Sequence, residues 1–137
     1  MKRTANSVWK GGGKEGNGTL TTGSGVLNET AYDHASRFAD GSLTNPEELI
    51  AAAHAGCFNM KLSFVVGNSG YTPDYLNTTC TITHGDDGIS NADLVLEASI
   101  PGISEEEFEA AVTDATENCP VSAVLDLDIS VEATLVE

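Results

Sequence analysis

Six side chains in this sequence have the types and spacing to do chemistry: Cys57, Cys119, Cys80, His54, Arg37 and Glu47. Cys57 interrupts the alanine-rich stretch ELIAAAHAGCFNM, residues 48–60, three positions after His54, so the two share a helix face. A free cysteine there is either a small buried hydrophobe or a nucleophile. Cys80, in TTCTIT, falls on the strand face of Ile82 and reads as core. Cys119 stands directly before Pro120, which biases it away from helical geometry and puts it at a helix end. Cys57 and Cys119 could therefore meet as a redox pair. As metal ligands, His54 and Cys57 would need at least one further donor, and no second paired motif supplies it. A histidine satisfied inside an interface is the better reading of residue 54.

A reactive cysteine must ionise, and a buried thiol resists ionisation unless a cation is near. After Lys14 the only basic side chains besides histidine are Arg37 and Lys61, and of these only arginine keeps its charge in every setting. A buried guanidinium needs a carboxylate to fix its plane, and Glu47 is available. Glu47 and Cys57 are ten positions apart on one helix, a rise of roughly 15 Å. They cannot touch within one chain, so a site that uses both must take Glu47 from a partner subunit.

Composition narrows the setting. The 137 residues are enough for one domain with a sizeable core, and residues 1–137 are read as a single domain. The start, MKRTANSVWKGGG, has a basic tip with no apolar run behind it, and no segment is read as apolar and uncharged for long enough to span a bilayer. The expected location is the cytoplasm. Three cysteines in a reducing compartment argue for buried or reactive thiols over a disulfide framework. With 21 acidic residues against 6 Lys plus Arg, the net charge of −15 repels nucleic-acid phosphate and anionic lipid, so neither is an expected partner. Such a surface is relieved by screening salt, as a salt-rich cytoplasm would provide.

The elements that must position these groups are legible in outline. TANSVWK reads as a strand, GGGKEGNG as a hairpin turn and TLTTGSGVLN as one or two further strands. The glycine cluster lacks the order of a phosphate loop, since GGGKEG has Glu15 where a hydroxyl belongs. Residues 29–43 read as a loop with a short turn of helix carrying Arg37. Asn45 then caps a helix with Pro46 in its first position and Glu48 in its third, where Glu48 can reach back to the cap and leaves Glu47 free. That helix runs to a stop near Gly67 and is apolar on nearly every side, which predicts burial all round and, in so short a chain, a homodimer with the helix near the interface. YLNTTCTITHG and SNADLVLEASIPG alternate as an antiparallel pair across GDDG. SEEEFEAAVTDATENC opens with the capping-box pair Ser104 and Glu107 and puts Phe108, Ala111, Val112 and Ala115 on one face. DLDISVEATLV closes the chain as a strand. The class is α+β, without the βαβ alternation of a parallel nucleotide-binding sheet.

The residues now on the page carry a resemblance. TNPEELIAAAHAGCF, with SRF upstream and NCPVS downstream, resembles the OsmC/Ohr family of osmotically inducible and organic hydroperoxide resistance proteins, which are thiol peroxidases. The similarity spans essentially the whole chain, and AAHAGCF and CPVS are closer to the OsmC branch. The resemblance implies a peroxidatic cysteine at Cys57, a resolving cysteine at Cys119, an activating arginine at Arg37 and its carboxylate partner at Glu47. It further implies an intertwined α+β homodimer with antiparallel sheets, a buried central helix carrying the reactive cysteine and two active sites shared between subunits. Cys80 is outside the family's site.

The expected activity is reduction of organic hydroperoxides, and less well of hydrogen peroxide, through a Cys57 sulfenic acid and a Cys57–Cys119 disulfide. An external dithiol would reopen that disulfide; the family suggests a lipoyl-type or small-thiol reductant. No metal or organic cofactor is called for. Two rivals stand beside this reading. One is a thiol redox sensor or binding module that uses the same disulfide as a signal, and the other is a metal site built on His54, Cys57 and Cys119.

Overall fold

The computed structural model describes residues 1–136, so Glu137 of the expected domain lies outside the described residues. Two compact units are distinguished, Met1–Leu49 and Ile50–Glu137.

The first unit is built on three short antiparallel strands in the order β1-β2-β3: β1 (Ala5–Lys10), β2 (Asn17–Thr22) and β3 (Thr30–Asp33). Gly18 pairs with Trp9 on one side and Tyr32 on the other. A Cβ at Gly18 would lie 2.5 Å from a ring carbon of Tyr32 and 2.8 Å from one of Trp9, so only glycine lets the two rings close over it at 5.3 Å between centroids. β3 falls in the stretch expected to be loop; four residues carry too little alternation to announce a strand, and pairing with β2 defines it. Helix α1 (His34–Phe38) follows at once, with the Asp33 carboxylate accepting from the Ser36 N–H at 2.8 Å as its cap.

Helix α2 (Pro46–Asn68) begins as expected, with Asn45 Oδ1 accepting from the Glu48 N–H at 2.8 Å. The Glu48 side chain accepts from the Thr44 hydroxyl, one residue before the cap, instead of closing a reciprocal box with Asn45. The helix is long and apolar enough, by length and composition, to cross a membrane (mean hydropathy 1.4), contrary to the reading that no segment is. Length and composition do not separate a spanning helix from a core helix, and Phe58, Leu62 and Val66 of α2 are buried in protein.

The single chain covers one side of this helix. His54, Phe58, Leu62 and Val66, spaced by fours, are buried, whereas Met60 is 64% and Phe64 68% exposed. Ala52, Ala53, Gly56, Ser63 and Gly67 lie open with them, so one face of α2 is uncovered in the single chain.

In the second unit, β4 (Tyr75–Gly85) and β5 (Gly88–Ser99) form the expected antiparallel pair about the turn at Asp86 and Asp87, with Gly88 at φ +104°. Helix α3 (Glu105–Asn118) opens on the expected reciprocal cap: the Glu107 N–H donates to Ser104 Oγ at 3.3 Å, and the Ser104 N–H to Glu107 Oε2 at 3.1 Å. A second helix, α4 (Pro120–Val124), begins at Pro120, which fits the first helical position. β6 (Asp128–Val136) then returns beside β5 in parallel register. One β–α–β crossover is therefore present, a correction to the antiparallel sheets that the resemblance implied and to the absence of β–α–β alternation in the pattern. Ala92, Leu94, Leu96 and Ala98 of β5 form one cluster with Phe58, Leu62 and Val66 of α2, Phe108, Ala111 and Ala115 of α3, and Cys119. Burying side chains of this kind contributes roughly 1.5–3 kcal/mol for each large one, and it fixes the helix carrying Cys57 against the segment carrying Cys119.

Candidate active site

Each of the six chemistry-bearing side chains falls in one of two groups. The first group is Arg37 with Glu47, in the first unit. Arg37 Nε donates to Glu47 Oε1 at 2.8 Å, and the guanidinium carbon lies 4.9 Å from the centroid of the Phe38 ring. The carboxylate is buried while the arginine keeps about two-fifths of its side-chain surface (39%). Only one carboxylate oxygen is used: Glu47 Oε2 is buried without a hydrogen-bond partner among the described residues. The pairing matches the expectation drawn from Glu47's freedom from capping.

Around this ion pair, Trp9, Tyr32, His34, Arg37, Phe38 and Pro46 line a cavity of about 270 Å³. The aromatic wall was not foreseen. Its signal is the Trp9–Gly18–Tyr32 alignment, which needs the strand register to be known first.

The second group holds Cys57, Cys119, His54 and Cys80, all in the second unit. The three cysteines are free thiols, with Cys119 fully buried and Cys57 partly exposed. Cys57 packs against the core cluster that contains Cys119, and each thiol acts on the other's ionisation, so the structure brings the pair near one another. Burial pushes the Cys57 thiol up from its ordinary value; the Val121 N–H works against that, and Cys119 adds to it. Cys119 moves the other way. Burial alone would raise it, but hydrogen bonds from the Ser122 N–H, the Ser122 hydroxyl, Cys57 and the Val121 N–H outweigh burial and favour its thiolate. These contacts come from groups near the sulfur and do not amount to a closed side-chain cap on α4. Of the two thiols, Cys57 is the more accessible.

His54 is fully buried, and its ring nitrogens are both engaged: Nε2 lies 2.6 Å from Ser122 Oγ, and Nδ1 lies 3.9 Å from Cys80 Sγ. Burial lowers its pKa, so the ring is held neutral. Cys80 packs against the core from β4, as read, and burial with Asp93 nearby keeps it a thiol. Among the described residues no group of three or more His, Cys, Asp and Glu side chains is placed to hold a metal ion. The ring of His54 faces Ser122 and Cys80 and does not assemble a metal site with Cys57 and Cys119.

Comparison with known proteins places these groups in a family. Residues 39–134 match the family described as OsmC-like protein. Over 131 residues the chain is 41% identical to the peroxiredoxin OsmC of Escherichia coli strain K12, covering 93% of this chain and 92% of that one. It is 34% identical over 98 residues to an organic hydroperoxide resistance protein-like protein of Staphylococcus aureus, covering 69% and 70%. Among solved structures, an organic hydroperoxide resistance protein OsmC from Legionella pneumophila superposes with a TM-score of 0.65 at 26% identity, over 98% of this chain and 97% of that one. The chain belongs to the OsmC-like family, and its α+β fold is that of OsmC and Ohr proteins.

Proposed function

We propose that this chain is a cysteine-based peroxidase that reduces organic hydroperoxides to alcohols, with residues 1–137 acting as one OsmC-like domain. The observation that carries the reading is the closeness of the Cys57 and Cys119 thiols in one core cluster, in a family whose relatives are named as a peroxiredoxin and an organic hydroperoxide resistance protein.

Cys57 is the thiol that meets the hydroperoxide. Cys119 is sealed from solvent, and access decides which sulfur an external substrate reaches first. The Cys57 thiolate attacks one peroxide oxygen, the O–O bond breaks, the alkoxide leaves and takes a proton as the alcohol, and Cys57 becomes a sulfenic acid. The Cys119 thiolate then attacks the Cys57 sulfur, closing the disulfide and releasing hydroxide, which leaves as water. A dithiol of the lipoyl or small-thiol type reopens the disulfide by exchange.

Because burial raises the Cys57 thiol, its thiolate needs a cation. Arg37 is the side chain suited to supply it, oriented by Glu47. Helix rise separates Glu47 from the Cys57 of its own chain by roughly 15 Å, so the Arg37–Glu47 pair serves the Cys57 of a second subunit. The uncovered face of α2, with Met60 and Phe64 exposed, supports a second copy lying against it. The aromatic cavity beside Arg37 suits the organic group of an alkyl or aryl hydroperoxide better than hydrogen peroxide, which is too small to use it.

The test is multiple turnover with an organic hydroperoxide and a dithiol. Cys57→Ser consumes no peroxide, while Cys119→Ser consumes about one equivalent and leaves Cys57 open to over-oxidation. Sustained turnover by Cys57→Ser would overturn the assignment of the nucleophile, and stalling of the native chain after one equivalent with dithiol present would favour a redox sensor.

A further inference from the structure

The peroxidase reading uses Cys57, Cys119, Arg37 and Glu47 and leaves a fully buried histidine unassigned. A histidine sealed in a core has to be satisfied at both nitrogens or pushed out of its charged form, and each of its contacts must have a direction. In the tautomer protonated on Nε2, the Cys80 S–H donates to His54 Nδ1, 3.9 Å away. With Nδ1 accepting, the neutral ring carries its proton on Nε2, which donates to Ser122 Oγ at 2.6 Å. That leaves the Ser122 hydroxyl proton free to turn towards Cys119, three residues back at the start of the same short helix.

We propose that Ser122 and His54, its ring protonated on Nε2, form a donor relay beside Cys119 that favours its attack in the resolving step, with Ser122 next to the reacting sulfur and His54 acting as a positioning residue behind it. The inference deepens the proposed function and rests on it.

The relay helps both halves of the disulfide cycle. In the forward step, Cys119 must be a thiolate to attack the Cys57 sulfenic acid; the new S–S bond replaces the S–O bond, and the departing hydroxide takes a proton from solvent. In the return step, a dithiol attacks the Cys57 sulfur and Cys119 is the leaving group, and a leaving thiolate that is well stabilised departs faster. The titratable groups facing the relay are Cys57 from α2 and Cys80 from β4, with Asp93 of β5 acting on Cys80. Burial lowers the His54 pKa, so the ring is neutral with the proton on either nitrogen.

The test separates the two chemical steps in a single turnover. Reduced protein is mixed with one equivalent of an organic hydroperoxide without reductant; peroxide loss reads the first step, and the Cys57–Cys119 disulfide, trapped by a thiol-blocking quench and measured by mass, reads the second. In Ser122→Ala the pH at which the second step fails moves upward, and the step slows roughly tenfold relative to the first near pH 6, as expected for losing one hydrogen bond to a charged group. His54→Leu shows the same shift, and His54→Gln, whose amide N–H can still donate to Ser122, restores it. Should His54→Leu fail to fold, Ser122→Ala and His54→Gln carry the comparison. Coincident second-step pH profiles for native protein and Ser122→Ala overturn the relay while leaving the peroxidase reading intact, as does an equal slowing of both steps at every pH. Absence of any Cys57 oxidation in the native protein overturns the peroxidase reading and the relay with it.

Discussion

His54 and Ser122, far apart in sequence, are joined at 2.6 Å, Nε2 to Oγ. Cys57 lies three residues after His54, and Cys119 three residues before Ser122. The same contact therefore ties the helix bearing one thiol to the turn bearing the other. Packing of Phe58 and Leu62 against β5 sets the coarse position of α2, and this polar contact, buried where an unsatisfied partner would be costly, sets the fine one.

Sharing of the active site between subunits is open to a mixed-dimer experiment. If sites are shared, a heterodimer of one Cys57→Ser subunit and one Arg37→Ala subunit has one site lacking both residues and one site keeping both. About half of native activity should return from two nearly inactive parents. Verified heterodimers that stay at the parental level would show that Arg37 serves the cysteine of its own chain.

The buried histidine makes stability depend on pH. Its folded pKa lies below the ordinary value of 6.5, so below about pH 6.5 the unfolded chain binds a proton that the folded chain refuses. Stability from neutral His54 is complete above that pH and is lost as the pH falls. Between about pH 7 and pH 5 the melting temperature of the native protein should drop more than that of His54→Gln, which has no proton to take up there. Parallel curves would mean that residue 54 does not titrate as its burial requires.

The net charge of −15 predicts a salt response. Raising monovalent salt from dilute buffer towards about 1 M screens carboxylate repulsion, and the melting temperature should rise with it. A flat or falling curve would remove salt adaptation as the meaning of the acidic surface.

Core packing next to the nucleophile is the last structural expectation. Phe58 is fully buried beside Cys57, so Phe58→Ala should destabilise the fold by about 3–5 kcal/mol in denaturant unfolding. A loss below about 1 kcal/mol would mean that the α2–β5 contact is not the anchor of the second unit.

What could be read in the sequence was local. The Asn45–Pro46 start of α2, the Ser104–Glu107 cap and the alternation of β4 and β5 depend on neighbours within a few residues, and the structure repeats them. The Arg37–Glu47 pair was legible by elimination, because so few cations follow Lys14. What was missed depends on tertiary placement. Ser122 was visible in NCPVS, but nothing near it in sequence points to His54. The parallel return of β6 is set by the α3–α4 crossover, which leaves no mark on the strand's own pattern. Burial all round α2 was read for a homodimer, and in the single chain Met60 and Phe64 are exposed.

The central claim is that Cys57 and Cys119 pass through a disulfide made by a hydroperoxide. The most direct measurement is the mass of the cysteine-bearing peptides after reduced protein meets one equivalent of an organic hydroperoxide and is quenched with a thiol-blocking reagent. The account predicts a single Cys57–Cys119 cross-linked species, Cys80 recovered as the blocked thiol, and a sulfenic acid confined to Cys57 when Cys119 is serine. Cross-linking through Cys80, or Cys57 recovered as a blocked thiol while the peroxide disappears, would contradict it.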